Sequence, residues 1–407
     1  MTEEAPSIPP PLADLKARAF ALAEEVTALR RDFHQHPELS HQEERTGRVV
    51  AAYLRDLGLE VSTGLAGHGV LGVLQGARPG RAVAFRADMD ALPITEAVPV
   101  PWRSQAPGVM HACGHDFHLA IALGAAKLLS QFRDRLAGQL RFLFQPAEEA
   151  PQGEDSGARG MVAAGVLENP RPAAVLALHV APNLDVGHVQ CGPEVVMAGA
   201  DRLTLTVTGK SAHGATPHKG VDPILAAAQA LTQVQGFLSQ RLDPRHPVVL
   251  TFGRIAGGSR FNILADQVTL EGSLRYLQDR VRQAVLEGLQ QQFAGLSRAS
   301  GAQIELTAEP IYPVLHNDPE LSARAMAVLR QVLGPERLKP HRPAMGSEDF
   351  SYYAARVPAF YFFLGVRTPG GKSQALHSPD FNPDEAALPW GLAAAAGLMA
   401  ALGEAED

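Results

Sequence analysis

In the segment MHACGHDFH, Cys113 and His115 stand two residues apart with one glycine between them. That glycine lets the chain turn sharply enough for a thiolate and an imidazole to face one ion. Both donors suit zinc and similar borderline cations, and Glu149, His179 and His377 would complete a nitrogen, oxygen and sulfur ligand set. Taken alone, a Cys-x-His pair is a weak signal and reads more readily as a buried thiol beside a helix-capping histidine. Recurrence favours the metal. Four strand-like apolar runs end in ionisable residues: AVAFRADMD at Asp88 and Asp90, LRFLFQPAEE at Glu148 and Glu149, VLALH at His179, and the segment beyond FYFFLG at His377. In open α/β sheets, ligands bind beyond the carboxyl ends of the strands, where distant segments converge.

The adjacent pair Glu148 and Glu149 carries its own information, because neighbouring carboxylates repel unless a cation or solvent relieves them. With a cation present, Glu149 is free to ligate it. Glu148 is then left to take a proton from an acidified water and return it to a leaving amine. A rival chemistry on the same residues makes Cys113 a nucleophile and His115 its base. Cys191, the second of only two cysteines, has no local partner and reads as a small buried residue. Two cysteines are too few for a disulfide framework, so a reducing compartment is expected. Most of the remaining histidines, His34 and His118 among them, read as structural or exposed, and Pro37 in FHQHPELS as the stop of an N-terminal helix.

The elements that must position these groups follow from the apolar pattern. With 407 residues, 46% of them hydrophobic, the chain is long enough for two cores and hence two domains. A formal charge of -7 and a pI near 6.1 give no broad positive field, which argues against nucleic acid and for a small-molecule partner. No run of 18 apolar residues occurs, and the acidic, proline-rich start lacks the regions of a signal peptide, so a cytoplasmic protein without a membrane partner is expected. LADLKARAFALAEEVTALRRDFHQH and ERTGRVVAAYLRDLGLE have helical spacing, and GVLGVLQG and RAVAFRAD around ARPG read as a hairpin-like strand pair. Helix and strand then alternate through HLAIALGAAKLLSQF, QLRFLFQP, a glycine-rich bend, MVAAGVLENP and AAVLALHVAP, which favours an α/β layer with a largely parallel sheet. From about Ala198 to Ile311 the order is strand, helix, two strands, helix, strand, the split βαβ pattern of a ferredoxin-like unit. Asp222 and Pro223 suit the cap and first position of its first helix. The expected division is a catalytic domain over 1–197 and 312–407 with an inserted domain over 198–311.

The ordered segments FHQHPELS, FRADMDALPI, MHACGHD, QPAEE, ALHV, SAHGATPH, GGSRFNILAD, GSLR, MGSEDF and LHSPDF run from about Leu29 to Phe381. This series resembles the M20 metallopeptidase superfamily, and within it the aminoacylase-like amidohydrolase subgroup that includes hippurate and auxin-conjugate hydrolases. The resemblance implies a zinc-exopeptidase-like α/β catalytic domain with a mixed, largely parallel sheet and an inserted ferredoxin-like α+β lid or dimerisation domain. It implies two divalent ions, drawn from zinc, manganese, nickel or cobalt, on Cys113, His115, Glu149, His179 and His377, with Glu148 as general base. Asp90 matches an aspartate that orients a metal ligand. Whether Cys113 bridges the ions is open, as this position carries an aspartate in the peptidase branch. His213 in SAHGATPH would polarise the scissile carbonyl, in its own chain or from a partner subunit. Asn262 would hold substrate, Arg275 would pair with a substrate carboxylate, and the backbone near Gly346 would approach it. The implied reaction is hydrolysis of an N-acyl amino acid or similar small amide, by a homodimer or higher homo-oligomer formed through the inserted domain. A dipeptidase or carboxypeptidase of the same superfamily, and a non-catalytic binding protein, are the other readings.

Overall fold

Residues 9–150 and 155–405 are described by a computed structural model. The first eight residues of the acidic start, and part of the glycine-rich bend after QPAEE, lie outside them. In chain order the elements begin with α1 (Leu12–Ala21), α2 (Ala23–Gln35), α3 (Glu44–Asp56), β1 (Glu60–Leu65), β2 (Gly69–Gln75), β3 (Arg78–Asp88), α4 (His115–Ser130), β4 (Ala137–Gln145) and α5 (Gly157–Ala163). They continue with β5 (Ala174–Asp185), β6 (Val189–Cys191), β7 (Glu194–Met197), β8 (Gly199–Thr208), α6 (Pro223–Arg241), β9 (Val248–Gly257), β10 (Gln267–Tyr276), α7 (Asp279–Ser300) and β11 (Gln303–Tyr312). The last are β12 (Leu315–Asn317), α8 (Pro319–Leu333), β13 (Leu338–Pro340), α9 (Ser351–Ala354), β14 (Ala359–Arg367) and α10 (Leu388–Gly403).

Two contact-dense units result: one takes the chain up to Val196, His316–Arg342 and everything from Asp349, the other Met197–Leu315 with Pro343–Glu348. The larger unit is an α/β layer on an eight-stranded sheet of order β1-β2-β4-β3-β5-β14-β6-β13. Its centre, β4-β3-β5-β14, is parallel, and β1, β2 and β6 bring antiparallel pairings. Strands buried on both faces read as continuous apolar runs. β4 is such a strand, buried at all but one position, as is the His179 half of β5. α4 and α10 pack together against β3. Both are apolar nearly all round, with Leu119, Ile121, Leu123, Leu392, Leu398 and Met399 fully buried; each such side chain contributes about 1.5–3 kcal/mol. Among the described residues only the stretch Glu385–Gly403 is long and apolar enough to cross a membrane, and 83% of its apolar window is buried inside the protein.

Two expectations need correction. The strand pair around ARPG is not a hairpin: β4 lies between β2 and β3, antiparallel to one and parallel to the other. The connection instead passes around the start of β4, with Gly76 N–H donating to Gly138 O at 2.9 Å and Arg78 N–H to Leu136 O at 3.1 Å. Gly138 makes the passage possible, because it sits at φ 68° and a Cβ there would stand 2.0 Å from the Arg81 carbonyl oxygen. The single N-terminal helix is also two, broken at Leu22 (φ -89°, ψ 4°). α1 packs on α8 and α10 while α2 packs on α4, and one straight helix would follow only one of those paths.

In the smaller unit an antiparallel sheet of order β11-β8-β10-β9 carries α6 and α7, the ferredoxin-like arrangement. Along β8, Leu203, Leu205 and Val207 are buried and alternate with half-buried Arg202, Thr204 and Thr206, the period-two pattern of a sheet covered on one face. Asp222 caps α6 by accepting from the N–H groups of Ile224 and Leu225.

Candidate metal centre

β3 and β4 run parallel and end together at Asp88 and Gln145, with Asp88 paired to Gln145 in register. Both therefore deliver their following residues to one edge. His179 lies inside β5, not at its end as the apolar run suggests, because pairing with β14 carries that strand on to Asp185. Gly114, at φ 87°, turns the chain between Cys113 and His115 and precedes α4; a Cβ there would stand 2.5 Å from Val180 Cγ2. Ala147 (φ 51°), just before the two glutamates, and His377 (φ 58°) also hold left-handed backbone. Such strain in non-glycine residues tends to collect at functional sites.

These turns bring the donors together. Cys113 Sγ is 3.3 Å from His179 Nε2 and 3.3 Å from His377 Nε2. His377 Nε2 is 2.9 Å from Glu149 Oε1, and His115 Nε2 is 4.0 Å from Glu148 Oε2. Cys113 with His115 and His179, Cys113 with Glu149 and His377, and His115 with Glu148 and Glu149 each form a group whose donor atoms lie within 4.8 Å of one another. The thiol belongs to two of the three groups.

The chemistry of the donor set fits divalent cations. His115 Nδ1 lies 2.8 Å from the Asp90 carbonyl and His179 Nδ1 2.8 Å from the Val180 carbonyl. A carbonyl only accepts, so Nδ1 carries a proton in both rings and Nε2 is the atom each ring can offer to a cation. His115 Nε2 is buried with no hydrogen-bond partner. Burial lowers the His115 pKa, yet Asp88, Asp90 and Glu149 together raise it to about 10. The pocket thus demands positive charge. Burial, with Glu149 and Glu148 beside it, pushes the Cys113 thiol well above its usual value. Without a cation that sulfur stays protonated, which disfavours it as a free nucleophile; a bound cation reverses the preference.

Asp90 touches the centre in more ways than its carboxylate alone suggests. Its Oδ2 accepts from Ser40 Oγ at 2.6 Å and from Glu149 N–H at 2.9 Å, and its carbonyl holds the His115 ring. FHQHPELSHQE, which reads in sequence only as a helix stop, supplies part of this support. Besides Ser40, Glu43 Oε1 accepts from Ala147 N–H at 2.7 Å, and the Glu38 carbonyl accepts from Ala91 N–H at 2.8 Å. In the first turn of α4, Asp116 is held by Arg30 at 2.8 Å and by His34 at 2.7 Å. The only sequence signal for these roles is the density of polar residues in an otherwise apolar helix end.

The remaining candidates, His213, Asn262, Arg275 and Gly346, lie in the smaller unit. His213 and Asn262 are exposed neighbours: His213 bridges Ile263, and Gly214 N–H donates to the Asn262 carbonyl at 2.8 Å. His213 Nδ1 accepts from Ala215 N–H at 3.1 Å, which leaves the proton on Nε2 as an outward donor. Arg275 is half-buried and donates to Ser273 Oγ at 3.0 Å and Ser347 Oγ at 2.5 Å. The Gly346 carbonyl accepts from Ala198 N–H at 2.8 Å.

Comparison with known proteins gives the class. The sequence profile of peptidase family M20/M25/M40 matches residues 84–401. The chain is 37% identical over 362 residues to the N-acetylcysteine deacetylase of Bacillus subtilis (88% of this chain, 92% of that one). It is 36% identical over 369 residues to thermostable carboxypeptidase 2 of Saccharolobus solfataricus (90% and 92%). Among solved structures, the Bacillus subtilis YxeP protein, a dinuclear metal-binding peptidase of the M20 family, matches with a TM-score of 0.82 and 34% identity over 94% of this chain and 98% of that one. The chain belongs to the M20 peptidase family. It is an M20 amidohydrolase, a hydrolase of amide bonds.

Proposed function

We propose that this enzyme hydrolyses N-acyl amino acids to a carboxylic acid and an amino acid, in the manner of the aminoacylase-like branch of its family. The observation that carries the reading is the convergence of Cys113, His115, Glu149, His179 and His377, with Glu148 directly beside them. Cys113 Sγ belongs to two of the donor groups, so its thiolate would be available to ions held by either. Bound divalent ions supply Lewis acidity, polarising the amide carbonyl and acidifying water. Glu148 takes the proton from water and returns it to the leaving nitrogen, so one water is consumed and the amide C–N bond breaks. Asp90 keeps the His115 ring and the Glu149 backbone in place. His213, from this chain or a partner, donates a hydrogen bond from its Nε2–H to the oxyanion. Asn262 and the backbone near Gly346 hold substrate, and Arg275 offers its fork to the substrate carboxylate.

The test is a panel of acetyl, benzoyl and indole-acetyl amino acids against unblocked dipeptides, after loading with zinc, manganese, nickel or cobalt. Turnover on acyl amino acids at least tenfold above that on dipeptides is expected; the reverse order would assign the enzyme to the carboxypeptidase side of its relatives. We also propose a homodimer through the smaller unit. Among the described residues, six of the seven exposed large apolar side chains, Ile224, Leu225, Val249, Ile255, Phe261 and Ile263, belong to it, and Val249 and Ile255 lie on its edge strand β9. A long apolar edge invites pairing with its own copy. Sedimentation should give a dimer that Ile255→Lys converts to monomer, and a wild-type monomer would refute this.

A further inference from the structure

His118, one turn along α4 from His115, reads in sequence as one more structural histidine. It is 1% exposed and its ring packs against two of the proposed ligand rings. Its ring centroid is 5.5 Å from that of His115, tilted by 31°, and 4.8 Å from that of His179, edge to face at 65°. Val180 N–H, the peptide group after His179, donates to His118 Nε2 at 3.1 Å, while Nδ1 lies 2.5 Å from Asp88 Oδ1. A backbone N–H can only donate, so Nε2 is an acceptor and the proton sits on Nδ1, directed at the carboxylate.

Asp88 is itself fixed. Its Oδ2 accepts from Arg86 Nη1 at 2.5 Å, and Arg86, fully buried, donates to Asp349 Oδ1 at 2.8 Å and to Gln145 Oε1 at 2.9 Å. Asp349 is clamped in turn by Ser156 Oγ at 2.6 Å and Gln145 Nε2 at 2.8 Å. The result is a chain of buried polar groups running from Asp349 to the peptide beside His179, and every bond in it has one donor and one acceptor.

We infer that His118 is a positioning residue: held by Asp88 and the Val180 N–H, its imidazole sets the orientation of the His115 and His179 rings and so tunes the metal centre, without ligating an ion itself. Asp88, His115 and His118 have donor atoms within 4.8 Å of one another and by proximity alone would suggest a further cation site. The hydrogen bonds argue otherwise, because both His118 nitrogens and both Asp88 oxygens are already engaged. Groups that support metal-ligating histidines typically change metal affinity or activity by about 10–100-fold when lost.

The inference rests on the metal-centre reading, and the experiment separates the two. Wild type, His118→Phe, His118→Asn and His118→Gln are stripped of metal and titrated with cobalt in competition with a chelator, following the visible absorption of the cobalt–thiolate centre. Phe keeps a ring against the ligands and loses both hydrogen bonds. Asn restores the donor toward Asp88, and Gln restores the acceptor for Val180 N–H. His118→Phe should bind cobalt about 10–100-fold more weakly with an altered spectrum, Asn and Gln should fall between it and wild type, and circular dichroism of the metal-free proteins should match. His118→Phe with wild-type affinity and spectrum would overturn the inference. Should that variant fail to fold, wild-type behaviour of both Asn and Gln would overturn it equally. Wild-type protein that takes up no cobalt would overturn the centre itself and the inference with it.

Discussion

Glu148→Gln is expected to lower kcat about 10³-fold, with KM changed only a few-fold, while the protein keeps its full metal content. The substitution preserves the side chain's size and its place 4.0 Å from His115 Nε2 and removes only the capacity to accept and return a proton. Because Glu149 rather than Glu148 lies against His377 at 2.9 Å, the ligand set should survive. Steady-state kinetics and elemental analysis on the same sample check this. Loss of turnover together with loss of metal would make Glu148 a ligand, and near-normal turnover would remove it from the chemistry.

Removal of metal is expected to have the larger effect, abolishing turnover altogether. Asp90 and Glu148 lie within 4.0 Å of His115, Glu149 lies 2.9 Å from His377, and the Cys113 thiol beside them stays protonated without a cation. Ion binding displaces that proton and relieves the carboxylates, so folding and metal uptake are linked. The thermal midpoint should therefore fall on chelation and recover on reloading. An enzyme using Cys113 as nucleophile behaves differently: it keeps its activity in chelator and loses it to alkylation.

Part of the centre is legible in the sequence because Asp88, Asp90, Glu148 and Glu149 stand at or just beyond strand ends, whereas His179 lies inside β5. Parallel β3 and β4 stop in register, so FRADMD and FQPAEE necessarily arrive together, and a glycine between Cys113 and His115 announces a turn. The inserted ferredoxin-like unit is equally legible, since its strand and helix order departs from that of its surroundings. Support carried by backbone and by long-range packing is not. The Asp90 carbonyl holding His115, Glu43 holding the Ala147 turn and Ser40 reaching Asp90 leave no periodic trace in sequence. His118 is hidden because a histidine within an apolar helix resembles any buried histidine until its two neighbours' rings are seen. The strand pair around ARPG misleads for a related reason: adjacency in sequence suggests a hairpin, whereas the apolar character of β4 on both faces requires it to sit between the two.

Whether amide hydrolysis depends on ions held by Cys113, His115, Glu149, His179 and His377 is decided by adding metal back to stripped wild-type protein and following turnover of an N-acyl amino acid. No turnover is expected at the start, then a rise with added metal and a plateau at about two ions per chain. Full turnover by the metal-free protein would contradict the dependence.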